Sequence, residues 1–221
     1  MRGVPASPPP NTTTNTPAPA VAGQHYENFP VASWLCPPRL RAPIAVIYTF
    51  ARTADDIADE GDASAAQRLE QLQAYRADLA LAARGEATSG RWSKVFGPLA
   101  WVMENYALPE GPLADLLSAF SQDIEMTRDA STYAGRTELL DYCARSANPI
   151  GRLLLHLYDV HDAGALRQSD AICTALQLIN FWQDFSVDLP RVRHYLTDAD
   201  LEAHGLAREQ LASFRPLADA A

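Results

Sequence analysis

In the stretch FARTADDIADEGD, residues 50 to 62, four carboxylates (Asp55, Asp56, Asp59 and Glu60) crowd into six residues of a run that otherwise reads as an apolar helix. Carboxylates this close repel one another and cost stability unless water or a cation screens them. Asp55 and Asp59 are four residues apart and share a helix face with Arg52, while Asp56 and Glu60 lie about 100° round from them. A solvated helix end accounts for such a cluster, and so does a site for a hard divalent cation.

A second polar stripe adds weight to the cation reading, although a polar stripe on so apolar a helix ordinarily faces solvent. In QLINFWQDFSVD, Gln177, Asn180, Asp184 and Asp188 follow one another at steps of three, four and four, on one side of a helix carrying Leu178, Ile179, Phe181 and Trp182. Two carboxylate stripes facing each other across a bundle suit magnesium, which takes oxygen ligands and bridges carboxylates to substrate phosphates. Arg191 and Arg193, in RVRHYL just beyond, are candidate donors to phosphate oxygens. For Arg193, pairing with a nearby acid is the competing reading. The chemistry implied is magnesium-assisted departure of a diphosphate, leaving a carbocation within an apolar cavity.

The elements that must position these groups are helical. In IAVIYTFARTADDIADE, Ile44, Ile47, Tyr48, Ala51, Ala54 and Ile57 recur at three- and four-residue steps from Pro43 onward. AAQRLEQLQAYRADLALAARG repeats the pattern and stops at Gly85. WSKVFGPLAWVMENYAL and EGPLADLLSAFSQDIEMTRD read as two further helices, the second with Pro112 in its first turn. TELLDYCARSANPIGRLLLHLYDV breaks near Asn148–Pro149, since proline disfavours helical geometry in the residue before it. SDAICTALQLINFWQDFSVDLP is read as starting at a Ser169 cap and ending before Pro190. No alternating strand pattern competes, so the fold class is all-α.

Both motifs, with their internal spacing and order, resemble the squalene/phytoene synthase family of head-to-head isoprenoid synthases. YTFARTADDIAD is similar to the family's first aspartate-rich motif, and QLINFWQDFSVD followed by RVRHYL to its second. The resemblance runs from about His25 to Tyr195 and implies an isoprenoid-synthase-type helical bundle with a central cavity, shortened at its C-terminal end. It implies Mg2+ as cofactor, with Asp55, Asp59, Asn180, Asp184 and Asp188 as its ligands. It places Arg52, Asp55, Asp59 and Tyr142 in the chemistry. His25, Asn28, Phe29, Tyr48, Arg52, Asp123, Gln177, Gln183, Arg191, Arg193 and Tyr195 would hold the isoprenoid diphosphate.

Within the family, HYENFPVASWL, FARTADDIADEGD and CARSANPIGRLLL look most like hydroxysqualene synthases. Such enzymes ionise presqualene diphosphate, rearrange the cyclopropyl cation and quench it with water. Glu27 and Gln183 stand where relatives that bind two farnesyl diphosphates tend to carry positive charge, and Val187 replaces an acidic residue. Fewer cations should weaken the binding of a second diphosphate. The absence of a Gly-rich dinucleotide fingerprint fits a reaction ending in water rather than hydride. The rivals are condensation of two farnesyl diphosphates (to squalene, dehydrosqualene or presqualene diphosphate) and a non-catalytic assembly protein of the same fold. Retention of all five proposed ligands and Arg52 argues against the last.

The bulk properties agree. A length of 221 residues with 48% hydrophobic content supports one domain with a sizeable core, read here as residues 24–221. The preceding segment, 1–23, is rich in Pro, Thr and Ala with no continuous apolar stretch, so a disordered tail is expected rather than a secretory signal. A net charge of −9 without any dense basic run excludes a nucleic-acid partner. Cys36, Cys143 and Cys173 are too scattered for a disulfide framework or zinc site and point to a cytoplasmic protein. No run is long enough to span a membrane, which leaves peripheral contact for release of a lipid product. Taken alone, Tyr142 and the four tryptophans (Trp34, Trp92, Trp101, Trp182) read as core packing.

Overall fold

Prolines set the start of the first helix and one of its tertiary ties. The computed structural model describes residues 36–211 apart from Val192, and α1 begins at Pro38 and runs to Asp59. Proline suits a first helical position, where its missing N–H leaves nothing unpaired. Pro43, inside the helix, cannot bond the carbonyl of Arg39. The Tyr106 hydroxyl donates to that carbonyl at 3.0 Å, so the lost ladder bond becomes a link to the helix that ends at Tyr106. The helix thus starts earlier than the apolar periodicity from Pro43 suggests.

Beyond it come α2 (Ala65–Ala83), α3 (Ser93–Tyr106), α4 (Glu110–Asp129), α5 (Arg136–Ser146), α6 (Asn148–Leu157) and α7 (Ala163–Gln183). Four short elements end the described chain: α8 (Phe185–Asp188), a 3-10 turn (Leu189–Arg191), α9 (Asp198–Ala203) and α10 (Arg208–Leu211). Among the described residues there is no strand, so the all-α expectation holds. Helix α4 is central, packing against α1, α2, α5 and α6, while α7 packs on α5 and α6.

The α1–α2–α3 end of the core is aromatic. Phe50, Tyr75 and Phe96 are almost wholly buried, with ring centroids 4.7 to 6.1 Å apart, and Trp92 meets Tyr75 edge-on at 5.0 Å. The Tyr75 hydroxyl donates to the Phe50 carbonyl at 3.1 Å, which satisfies its one polar atom. Truncating Phe50 to Ala would cost about 3–5 kcal/mol and loosen the helix that carries the first acidic motif.

Two sequence expectations shift. Helix α7 is capped not by Ser169 but by Asp162, whose side chain accepts from the Ala165 N–H at 2.9 Å. Ser169 instead lies where α6 crosses α7: a Cβ on Gly151 would sit 2.4 Å from its Oγ and 2.7 Å from Cys173 Sγ. The second shift concerns tryptophan. Trp92 packs as expected, but Trp101 and Trp182 are 53% and 60% exposed, and Trp34 lies outside the described residues. The three cysteines are free thiols. No described helix is long and apolar enough to cross a membrane.

Candidate active site

The acidic end of α1 is held by arginines from two parts of the chain. Arg52, one turn back, lies 3.2 Å from Asp55, 2.8 Å from Asp56 and 4.0 Å from Glu60. The Asp56 oxygen has no hydrogen-bond donor despite that proximity, so its contact is Coulombic and off the N–H axis. Asp59 is paired instead with Arg193, from the segment after α8. Of the two readings open for Arg193, pairing with a nearby acid is the one the structure shows.

Arg193 also acts on the other acids. Asp55, Asp123 and Asp188 all feel its charge, so its guanidinium links the first motif, the centre of α4 and the second motif. Burial opposes the charge on Arg193, yet Asp59 holds its pKa well above the ordinary guanidinium value. Burial pushes the Asp55 carboxyl up to about 6, with Asp59 adding to the rise. It pushes Asp188 up to about 6 and Asp123 up to about 7, with Arg193 opposing both shifts.

Asp123 accepts a 2.5 Å hydrogen bond from the Tyr142 hydroxyl. Tyr142 is buried, and burial together with Asp123 keeps its phenol protonated far above neutral pH. Its ring lies 6.0 Å from Phe181 and 6.4 Å from Tyr195. Phe181 and Tyr195 stack face to face at 3.7 Å. The site's acids therefore adjoin an aromatic wall.

Two cavities flank the segment Arg193–Tyr195. The first, about 400 Å³, is lined by the charged side chains of Asp59, Asp123, Arg68, Arg128, Arg191 and Arg193, interspersed with Ala58, Ala65, Ile124 and Thr127. Arg128 is already bonded twice to Asp129, at 2.7 Å each, while Arg191 makes no ion pair among the described residues. The second, about 330 Å³, is predominantly apolar, formed by Leu139, Leu140, Leu178, Trp182, Tyr195 and Leu196 with Arg136 and Asp200 also in its lining. An anion fits the first and a hydrocarbon the second.

The full amino-acid sequence matches the squalene/phytoene synthase family over residues 22–221. The chain belongs to that family. It is 37% identical over 201 residues to a hydroxysqualene synthase of Zymomonas mobilis, covering 87% of this chain and 62% of that relative. It is 36% identical over 204 residues to one from Sinorhizobium fredii, covering 90% and 65%. The chain thus spans less than two thirds of the length of these two relatives. The crystal structure of a squalene synthase, HpnC, from Alicyclobacillus acidocaldarius superposes with a TM-score of 0.74 at 37% identity, over 86% of this chain and 68% of that one. The isoprenoid-synthase-type bundle expected from the sequence is the fold observed.

Placement of the remaining candidate residues of this squalene/phytoene synthase family member is uneven. Tyr48 and Arg52 are half-buried on α1, and Gln177 and Asn180 half-buried on α7. Gln183, Asp184 and Arg191 are exposed. The second motif is not one unbroken helix, because α7 ends at Gln183 and α8 begins at Phe185. The Asp184 N–H still bonds the Asn180 carbonyl and the Asp188 N–H the Asp184 carbonyl, both at 2.9 Å, but the Val187 N–H also takes Asp184 at 2.8 Å. That tightened turn runs into Pro190, which has no N–H to continue the ladder. His25, Glu27, Asn28 and Phe29 lie outside the described residues.

Among the described residues, no three acidic, histidine or cysteine side chains converge on one point. With Arg193 against Asp59, a guanidinium supplies the charge that the acids require. The donor set nevertheless suits a hard cation: every candidate ligand offers oxygen, and burial penalises the ionised carboxylates of Asp55 and Asp188, a penalty a cation would offset. The sequence reading missed Arg68, which closes the end of α1. A signal existed, since four acids at a helix C-terminus with no basic residue in the last turn call for a cation from elsewhere.

Proposed function

We propose that this protein ionises presqualene diphosphate with magnesium, rearranges the resulting cation and captures water, giving hydroxysqualene and diphosphate for squalene or hopanoid synthesis. The observation carrying this reading is the pair of cavities on either side of Arg193–Tyr195, one cationic and acid-lined, the other apolar. An amphipathic diphosphate needs both, side by side. The likeness to hydroxysqualene synthases supports this product over its sister reactions.

In this reading Asp55, Asp59, Asn180, Asp184 and Asp188 would hold magnesium, which supplies the electrostatic pull on the departing diphosphate. Arg191 has no competing ion pair among the described residues, so it donates to phosphate oxygens. Arg193 leaves Asp59 and turns to the same anion. Tyr195 and Trp182 give the hydrocarbon an aromatic lining, and the negative faces of such rings favour an adjacent carbocation. Tyr142, kept protonated and pinned to Asp123, presents a phenol that stays neutral while the cation forms. Water capture then requires one solvent molecule admitted to an otherwise apolar space.

Presqualene diphosphate supplied in 18O-labelled water tests the proposal. The expected product is an alcohol carrying the label, with little condensed product from farnesyl diphosphate alone. Efficient conversion of farnesyl diphosphate, or an unlabelled hydrocarbon formed only with NADPH, would assign a sister activity instead.

A further inference from the structure

Helix α1 ends in an electrostatically unfavourable way. The negative end of its dipole coincides with Asp55, Asp56, Asp59 and the capping residue Glu60, and its last turn holds no basic residue. Arg52 and Arg193 answer the carboxylates. The backbone carbonyls are answered by a third arginine, Arg68, from the second turn of α2.

Its guanidinium spreads over three of them. Nη1 donates to the Ile57 carbonyl at 3.2 Å, Nη2 to Gly61 at 2.7 Å and Nε to Ala63 at 3.0 Å. Ile57 belongs to the last turn of the helix, while Gly61 and Ala63 form the connection to α2. Gly61 holds φ at +75°, a left-handed turn that glycine adopts without strain. Arg68 therefore ties the turn after Asp59 on three sides, and it also lines the polar cavity beside Asp59 and Arg193. A planar fork with fixed N–H directions can serve three acceptors at once, whereas an ammonium group is a point charge on a flexible stem.

We propose that Arg68 is a positioning residue. It makes no pair with a carboxylate among the described residues; it fixes the turn from which Asp59 is presented to the polar cavity. The inference rests on the reading that this cavity binds a divalent cation with a diphosphate.

The test compares wild type, Arg68→Lys and Arg68→Ala in two measurements: amide hydrogen exchange, and binding of inorganic pyrophosphate with Mg2+ by calorimetry. Loss of the three bonds should speed exchange of amides 59–63 about tenfold, with amides 72–79 of α2 unchanged. Pyrophosphate with Mg2+ should bind about tenfold more weakly to Arg68→Ala, and Arg68→Lys should fall between. Arg68→Lys keeps charge and stem but loses the fork, so it carries the test if the alanine variant does not fold. Wild-type values in Arg68→Lys for both measurements would overturn the proposal, as would faster exchange with unchanged pyrophosphate binding. If wild type itself ignores pyrophosphate and Mg2+, the functional reading of the cavity fails, and the exchange comparison still decides whether Arg68 holds the turn.

Discussion

The guanidinium of Arg193 lies against the carboxylate of Asp59, joining residues 134 positions apart in the chain. Their side chains are only 21% and 24% exposed, so the pair is screened less than a surface contact. It sets the relation between the two acidic motifs. The first motif reaches the segment following the second through this pair, with Arg193 as the shared counter-charge.

A double-mutant cycle measures that relation. Arg193→Gln and Asp59→Asn, alone and together, should show a favourable coupling on the order of 1 kcal/mol in urea unfolding without metal. Coupling indistinguishable from zero would mean the pair does not form in solution.

If Asp59 is also a magnesium ligand, Arg193 competes with the cation for it. Arg193→Gln should then bind Mg2+ alone more tightly, yet bind pyrophosphate with Mg2+ more weakly, because a phosphate donor is lost. The two effects have opposite signs. Calorimetry reporting the same direction for both would exclude the exchange of partners.

Asp55→Asn or Asp184→Asn should abolish turnover of presqualene diphosphate with the helical fold intact, and excess EDTA should do likewise. Asp184 is exposed at the kink between α7 and α8, and neutralising it removes a repulsive charge. Its Asn variant should therefore be no less stable than wild type without metal. A clear fall in melting temperature would make Asp184 a structural residue, and full activity in EDTA would remove the metal from the reaction.

The Asp123 carboxyl titrates near 7 in the fold, chiefly through burial, against an ordinary value of 3.8. Tyr142, Arg193, Asp59 and Asp55 are the groups that act on it. The folded protein thus holds a proton that the unfolded chain has released between about pH 4 and 7, and stability falls as pH rises through that window. Each such proton contributes a slope of about 1.4 kcal/mol per pH unit. Asp123→Asn keeps an acceptor for Tyr142 but removes the titration, so its stability profile should be flatter by up to one proton. Parallel profiles for the two proteins would refute the raised pKa.

Much of this architecture was legible because a helical bundle writes its core into three- and four-residue steps. The break at Asn148–Pro149 and the stop at Gly85 lie where local chemistry demands them. The early start of α7 was not legible, since its first turns, AGALRQS, are small and polar and carry little apolar rhythm. The acidic motifs stood out through their unusual spacing, but their partners did not. The Arg193–Asp59 pair and the bonds of Arg68 to α1 are tertiary contacts that leave no periodic trace. Exposure of Trp182 was equally hidden, because a tryptophan beside an apolar run reads as core until the neighbouring elements are known.

Residue 183 bears on the number of diphosphates the protein can bind. Gln183 ends α7 beside Asp184 and is exposed, with a neutral side chain where the family resemblance implies a cation in relatives that bind two diphosphates. Gln183→Arg adds a charged fork next to the second acidic motif, where it can donate two parallel bonds to a phosphate. A charge-assisted bond of about 1.5–3 kcal/mol would tighten binding by roughly one to two orders of magnitude. Farnesyl diphosphate, titrated with Mg2+ present, should therefore bind the variant more tightly or at a higher molar ratio than wild type. If Arg191 and Arg193 serve its single diphosphate, presqualene diphosphate should gain much less. Equal gains for both ligands would mean that the new arginine reaches the first diphosphate. No gain for either would place residue 183 away from the substrate, and the preference for a one-diphosphate ligand would then need another cause.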